Sequence, residues 1–198
     1  MNVHVTRFAA IGGLLMLSAA AAHDTDDDDS YAFRAVLSGA QEVTPPDAPA
    51  TPSLGVTTNT SAQARVEFAR NLSSFRFSLN VRNGRGVTQA HLHCGRPGQN
   101  GPVIVFLAPL NADGADVNGA FARGTRRNEH IEVGAEGCET LIGRPIRNIA
   151  SLAGAARDGL IYANVHTVDN PAGEVRGQLI REHDDDDHDD DRRDDDGR

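Results

Sequence analysis

The sequence predicts an all-β domain, a sandwich or barrel of about eight short strands with one short helix. Three observations lead there. Apolar and polar residues alternate with a period of two, most clearly where Phe75, Phe77, Leu79 and Val81 interleave with Arg76, Ser78, Asn80 and Arg82. Turn-forming residues punctuate such segments at roughly regular spacing. Hydrophobic residues are only 39% of the 198, glycine is frequent at 20, and the runs that build long amphipathic helices are missing.

The elements follow in order. Phe33, Ala35 and Leu37 begin a strand closed by Ser38-Gly39, and residues 44–53, with four prolines, read as a loop. Ala64, Val66 and Phe68 alternate with Arg65, Glu67 and Ala69, and Asn71-Leu72-Ser73 forms a hairpin connection to the Phe75–Arg82 strand. Asn83-Gly84 is expected to end that strand, and His91, Leu92 and His93 lie on the next. Val103–Leu107 is a continuous β-rich run stopped by Pro109, and Gly119 to Val133 alternates loosely. Ile146, Ile149 and Leu152 have helical spacing, so residues 146–157 form the helix, with Gly159 after its end. Leu160–Thr167 and Glu174–Ile180 are the last strands, joined through Asp169-Asn170-Pro171-Ala172-Gly173.

Charge divides the chain into parts. The net charge is −9, yet residues 31–181 carry 15 Arg against 12 acidic residues. The acids concentrate in residues 24–29, with five Asp, and in residues 182–198, with Glu182 and ten Asp. Segments 23–30 and 182–198 have almost nothing apolar to bury and are expected to be disordered. They lack the EF-hand pattern, so any calcium they hold is weakly bound, and such runs are more often simply solvated. The body shows no basic-aromatic motif, which argues against a nucleic-acid partner. Its 151 residues suffice for one domain with a real core.

Residues 1–22 read as a signal peptide: Arg7, an apolar run from Phe8, then Ala20-Ala21-Ala22 as a cleavage site. The apolar run, about 15 residues, is short of the roughly 20 that a membrane span needs. The chain is therefore expected to be exported (periplasmic, secreted or at the cell surface) with no transmembrane segment after cleavage. Cleavage after Ala22 would leave His23 at the N-terminus, where amine and imidazole could chelate copper weakly. In an exported domain Cys94 and Cys138 are most simply one disulfide, closing a loop of about 45 residues; a free reactive thiol is the alternative.

Three stretches together resemble the CHRD domain, the module named after chordin. They are Phe33–Val43 followed by Pro45-Pro46, Ala90–Gly95 followed by Gly98–Val103, and Tyr162–Thr167 followed by Asn170–Leu179. The resemblance spans residues 31–181. It implies an antiparallel Greek-key barrel or sandwich with some likeness to copper-zinc superoxide dismutase. Chordin itself binds growth factors of the bone morphogenetic type, while bacterial members are exported proteins without an established reaction. This chain has one such module, no cysteine-rich repeats and acidic tails, so growth-factor binding does not transfer with the fold.

Alternation also sorts the histidines. His91 and His93 share one face, opposite Ala90, Leu92 and Cys94. Tyr162, Asn164 and His166 likewise oppose Ile161, Ala163 and Val165. If the two strands are neighbours, the three rings converge, and Glu174 and Arg176, sharing a face on the last strand, could join them. Two chemistries compete. Three neutral imidazoles suit copper or zinc, with Glu174 or Asn164 orienting a ring. Alternatively the rings, Tyr162, Glu174 and Arg176 form a structural hydrogen-bond network. A lone His-X-His is common and no fourth ligand stands out, so the network carries more weight.

Enzyme readings are weaker. There is no Gly-X-Ser-X-Gly pattern. Glu129, Glu132, Glu136 and Glu139 fall in what reads as a loop with Gly134 and Gly137, and Arg126-Arg127 beside them reads as solvated. A full copper-zinc ligand set with a bridging histidine cannot be identified. The expected function is an extracytoplasmic binding or structural module without catalysis, and the alternative is a copper- or zinc-binding protein. The partner is an unidentified extracellular or periplasmic protein or surface.

Overall fold

The protein is described by a computed structural model covering residues 31–43 and 55–182. The expected leader, the acidic segment 23–30 with His23, the proline-rich loop 44–53 and the tail from residue 183 lie outside the described residues. Eight strands make up the sheet: β1 Tyr31–Ser38, β2 Ser61–Phe68, β3 Ser74–Cys94, β4 Val103–Ala108, β5 Ala115–Arg127, β6 Ile161–Thr167, β7 Val175–Gln178 and β8 Ile180–Arg181. Every pairing among them is antiparallel. The order β2-β1-β7-β6-β3 closes on itself because β3 also pairs with β2, which makes a barrel. The all-β barrel expected from alternation is the fold observed.

Strand β3 organises it. At 21 residues it serves two parts of the barrel. Its first half lies between β2 and β5, in register from Phe68↔Phe75 to Ser61↔Arg82 on the β2 side. Its second half lies between β6 and β4, with Ala90, His91 and Leu92 opposite Val165, Asn164 and Ala163. Asn83-Gly84 therefore does not end a strand, contrary to expectation. Asn83 and Gly86 take left-handed φ values of 55° and 56°, and the sheet bends there without reversing. The register shift between Val87 and Gln89 changes the parity of the strand. Odd residues from Phe75 to Val81 face the core before it, and Ala90, Leu92 and Cys94 face it afterwards.

Two α-helices are present among the described residues where one was expected. α2, Ile149–Arg157, is the predicted one, and it starts at Asn148, whose Oδ1 accepts from the Ser151 N–H at 2.8 Å. It buries Ile149, Leu152, Ala153, Ala155 and Ala156. α1, Gly137–Ile142, occupies the stretch read as a loop. Six residues do not sustain an isolated helix. Here buried Ile142 and the Cys94–Cys138 disulfide hold it against the end of β3. Strand β5 starts earlier than expected and ends at Arg127, because Asn128 turns away and accepts from the Ile149 N–H at 2.9 Å. The last expected strand is two, β7 and β8, separated at Leu179, whose N–H donates to Ile161 O at 2.9 Å.

The core is lined by Phe33, Phe68, Phe75 and Phe77, with successive ring centroids 5.5–6.2 Å apart. Arg126 is not a solvated residue. It lies over Phe77 and donates to the carbonyls of Phe106 and Leu107 at 2.7 and 2.8 Å, while Glu132 N donates to Ile104 O. These donors satisfy the outer edge of β4, which has no strand of its own there. No described helix is long and apolar enough to cross a membrane.

The expected disulfide is formed, between two fully buried cysteines with Cα atoms 5.9 Å apart. Replacing Cys94 and Cys138 together by Ser should lower unfolding free energy by roughly 2–4 kcal/mol, through release of the unfolded chain and loss of burial. Urea unfolding of the oxidised and doubly substituted proteins measures this; coincident midpoints would show that the bridge adds nothing.

Candidate functional site

The site lies on the face of the sheet opposite the core, where the second half of β3 meets β6 and β7. Cross-strand register sets its layout: Gln89 faces His166, His91 faces Asn164, and His93 faces Tyr162. On the far side of β6, Asn164 faces Arg176 and Tyr162 faces Gln178. The polar face expected from alternation is thus continuous over three strands, and it is buried. His91, His93 and His166 are 3%, 8% and 7% exposed, and Arg176 is 2% exposed. The three rings converge, with one nitrogen from each within 4.8 Å of those of the others.

Hydrogen-bond chemistry assigns the protons. His93 Nδ1 lies 2.9 Å from Gly101 O, and His166 Nδ1 lies 2.9 Å from Pro171 O. A carbonyl only accepts, so each Nδ1 carries the proton and each Nε2 bears a lone pair. His91 Nε2 lies 3.2 Å from Gln89 Oε1, another acceptor, which leaves a lone pair on His91 Nδ1. That nitrogen sits 3.2 Å from His166 Nε2. His93 Nε2 is buried and has no partner. Burial lowers the basicity of all three rings. It takes His91 to about 3, helped by the neighbouring His166 and His93, takes His93 to about 4, and lowers His166 as well. At neutral pH the cluster holds neutral imidazoles, the form that ligates metals.

Aromatic packing fixes two of the rings. His93 stacks on Tyr162, with centroids 4.9 Å apart and planes 4° apart. The Arg176 guanidinium also stacks on Tyr162, 3.5 Å from its centroid. A desolvated cation–π contact of this kind contributes on the order of 2 kcal/mol. Arg176 donates in addition to Arg96 O at 2.9 Å and Asn100 Oδ1 at 3.3 Å. The Gly101 peptide links these parts, since its N–H donates to the Tyr162 hydroxyl at 3.2 Å and its carbonyl receives the His93 proton. A Cβ at position 101 would lie 1.8 Å from Cys94 O, so only glycine fits there. Phe106 closes the other side of His91, edge-on at 4.4 Å.

The family model of the CHRD domain matches residues 33–179. The chain belongs to the CHRD domain family. No curated protein and no solved structure matches it. In this CHRD domain the three stretches noted in the sequence meet at one place. The central one supplies His91, His93 and Gly101, the closing one supplies Tyr162, Asn164, His166 and Arg176, and the opening one supplies Glu42.

Glu42 is a site residue that sequence reasoning missed. It accepts a hydrogen bond from Asn164 Nδ2, across 122 residues of chain. Asn164 thus orients Glu42 and not a histidine, and its own Oδ1 is buried without a partner. Glu174 also departs from expectation. Its carboxylate accepts from the Thr58, Thr167 and Asn170 side chains and tethers loops beside the site, with no hydrogen bond to a ring. Burial pushes Glu174 up, but the hydrogen bonds from Thr167, Thr58, Thr60 and Asn170 prevail and its value is lowered. Gln89 and Phe106 were missed too. Gln89 was open to the same alternation that paired His91 with His93.

Glu42 makes stability depend on pH. The side chain is 3% exposed, and burial raises its carboxyl to about 7 against the opposing effects of Arg176, Asn164 and the Val43 backbone. A folded-state value above the unfolded one means that the native state holds the proton more tightly. Stability is then highest below about pH 4.5 as far as this group is concerned, and falls as pH rises through 7. Glu42's own share of stability should fall by on the order of 3 kcal/mol between pH 5 and 8, against the opposite rise from the three histidines, so the difference in stability between the unsubstituted protein and Glu42→Gln should change by about that amount across the range. Chemical denaturation at several pH values checks this; parallel profiles for the two proteins would remove Glu42 as the source.

Proposed function

We propose that this CHRD-domain protein is exported and serves outside the cytoplasm as a binding or structural module without catalysis. The observation that carries the reading is the buried Cys94–Cys138 bridge between β3 and α1. Stable structural disulfides belong to oxidising compartments, and small exported domains rely on them. The leader-like residues 1–22, outside the described residues, point the same way. The exposed side of β2 and β3 supports a role in contact. It carries exposed Arg65, Arg76 and Arg82 along strands whose outward positions are otherwise mostly polar, with Arg65 and Arg76 ion-paired to Glu67 and Glu182, a charged and polar face suited to contact with a partner or surface.

The experiment is expression of the full chain in its own cells, followed by fractionation and mass spectrometry. The expected product is an extracytoplasmic chain lacking the leader, with no free thiol until reductant is added. An intact N-terminus on a cytoplasmic protein with two free thiols would overturn the proposal.

A further inference from the structure

Three features at the centre of the histidine cluster together do not fit a plain hydrogen-bond network. The backbone acceptors Gly101 O and Pro171 O hold the Nδ1 protons of His93 and His166, so both Nε2 atoms are lone-pair donors. The His91 Nδ1 lone pair faces His166 Nε2 at 3.2 Å, a contact with two acceptors and no proton. His93 Nε2, fully buried, has no hydrogen-bond partner. Turning the Gln89 amide would protonate His91 Nδ1 and satisfy His166, but His93 Nε2 would still face the cluster with nothing to receive. Burying an acceptor without a partner costs about 1–3 kcal/mol. A cation at the centre resolves all of this at once.

We propose that His91 Nδ1, His93 Nε2 and His166 Nε2 bind one copper or zinc ion. Bonds of about 2.0–2.1 Å place two ligands of a tetrahedral ion roughly 3.3–3.4 Å apart, close to the observed 3.2 Å between His91 and His166. The widest nitrogen separation, within 4.8 Å, then closes by about 1.5 Å. Each ligand's second nitrogen already donates to an oxygen, on Gly101, Pro171 or Gln89, which is the outer-shell arrangement that fixes tautomer and ring direction in metal sites. Neutral nitrogen donors select copper and zinc over calcium and magnesium, which prefer oxygen. Both sulfurs of the described chain are committed to the disulfide and are not ligands. Three protein donors leave one coordination position for water or a further donor. This site goes beyond the module reading and stands on its own geometry, whatever the compartment.

The test uses untagged full-length protein, stripped of metal and titrated in separate arms with Zn(II), Cu(II) and Cu(I) against chromophoric competitors. One equivalent of at least one ion should bind at micromolar or lower Kd. His93→Gln and His166→Gln should each weaken that binding at least about 100-fold. Gln89→Leu, which keeps all three ligands, should weaken it about 10-fold by freeing the His91 ring. Circular dichroism confirms that each variant is folded. Binding by the tails or by His23 would survive the substitutions. No stoichiometric binding by the unsubstituted protein, or binding that His93→Gln leaves unchanged, overturns the proposal.

Discussion

The register between the second half of β3 and β6 is the constraint on which the rest of the site depends. Leu92 opposite Ala163 and Ala90 opposite Val165 turn the small and branched apolar side chains into the core. The same register leaves His91, His93, Tyr162, Asn164 and His166 on the other side. A slip by one residue would invert one strand against the other, either putting His91 and His93 into the barrel in place of Leu92 or putting Tyr162, Asn164 and His166 there in place of Ala163 and Val165. Hydrophobic burial on one face thus specifies the positions of polar groups on the other. The bend after Arg82 is what permits this. It lets one strand present Phe75–Val81 to one part of the core and Ala90–Cys94 to another, with the parity corrected between them.

A polar face that is itself buried must account for every donor and acceptor. The loops over it do so with backbone atoms for all but His93 Nε2 and Asn164 Oδ1 among the described buried side-chain atoms. Arg96 O, Gly101 O and Pro171 O receive protons from Arg176, His93 and His166, and Gly95 O and Gly159 O receive those of Gln178. The glycines explain themselves in these terms, since Gly95 and Gly101 lie against backbone where a side chain would not fit. The buried Arg176 cation is stabilised by an aromatic face and two oxygens, and a neighbouring carboxyl of raised pKa offsets little of its charge at acidic pH.

Much of this was legible in the sequence, because it depends on a period of two. Alternation sufficed to place Phe75–Val81, to separate His91 and His93 from Leu92, and to put His166 with Tyr162 and Asn164. What stayed hidden depends on distance along the chain or on bends. Asn83-Gly84 looks like a turn because a left-handed residue is needed both to reverse a strand and to kink it, and the local sequence does not distinguish the two. Glu42 meets Asn164 only because β1 closes the barrel beside β7, a fact with no local signature. Arg126 resembles a solvated charge until β4 is seen to need donors for its edge. α1 has no sequence preference of its own and is held by the cysteine that happens to lie in it.

The separation of the two faces bears on what the histidine cluster can do. The apolar core and the disulfide lie on the far side of β3 from the rings, so the cost of leaving His93 Nε2 without a partner falls on a region that does not by itself hold the fold. A zinc-finger type of domain has no core of its own and unfolds when its metal leaves. Here the donors are positioned by sheet register, by backbone carbonyls and by the Tyr162 stack before any ion arrives. A preorganised ligand set of this kind loses little conformational entropy on binding. Occupancy can then follow the concentration of the ion, while the exposed face of β2 and of the first half of β3 lies away from the cluster. The two surfaces can act independently because the barrel lies between them.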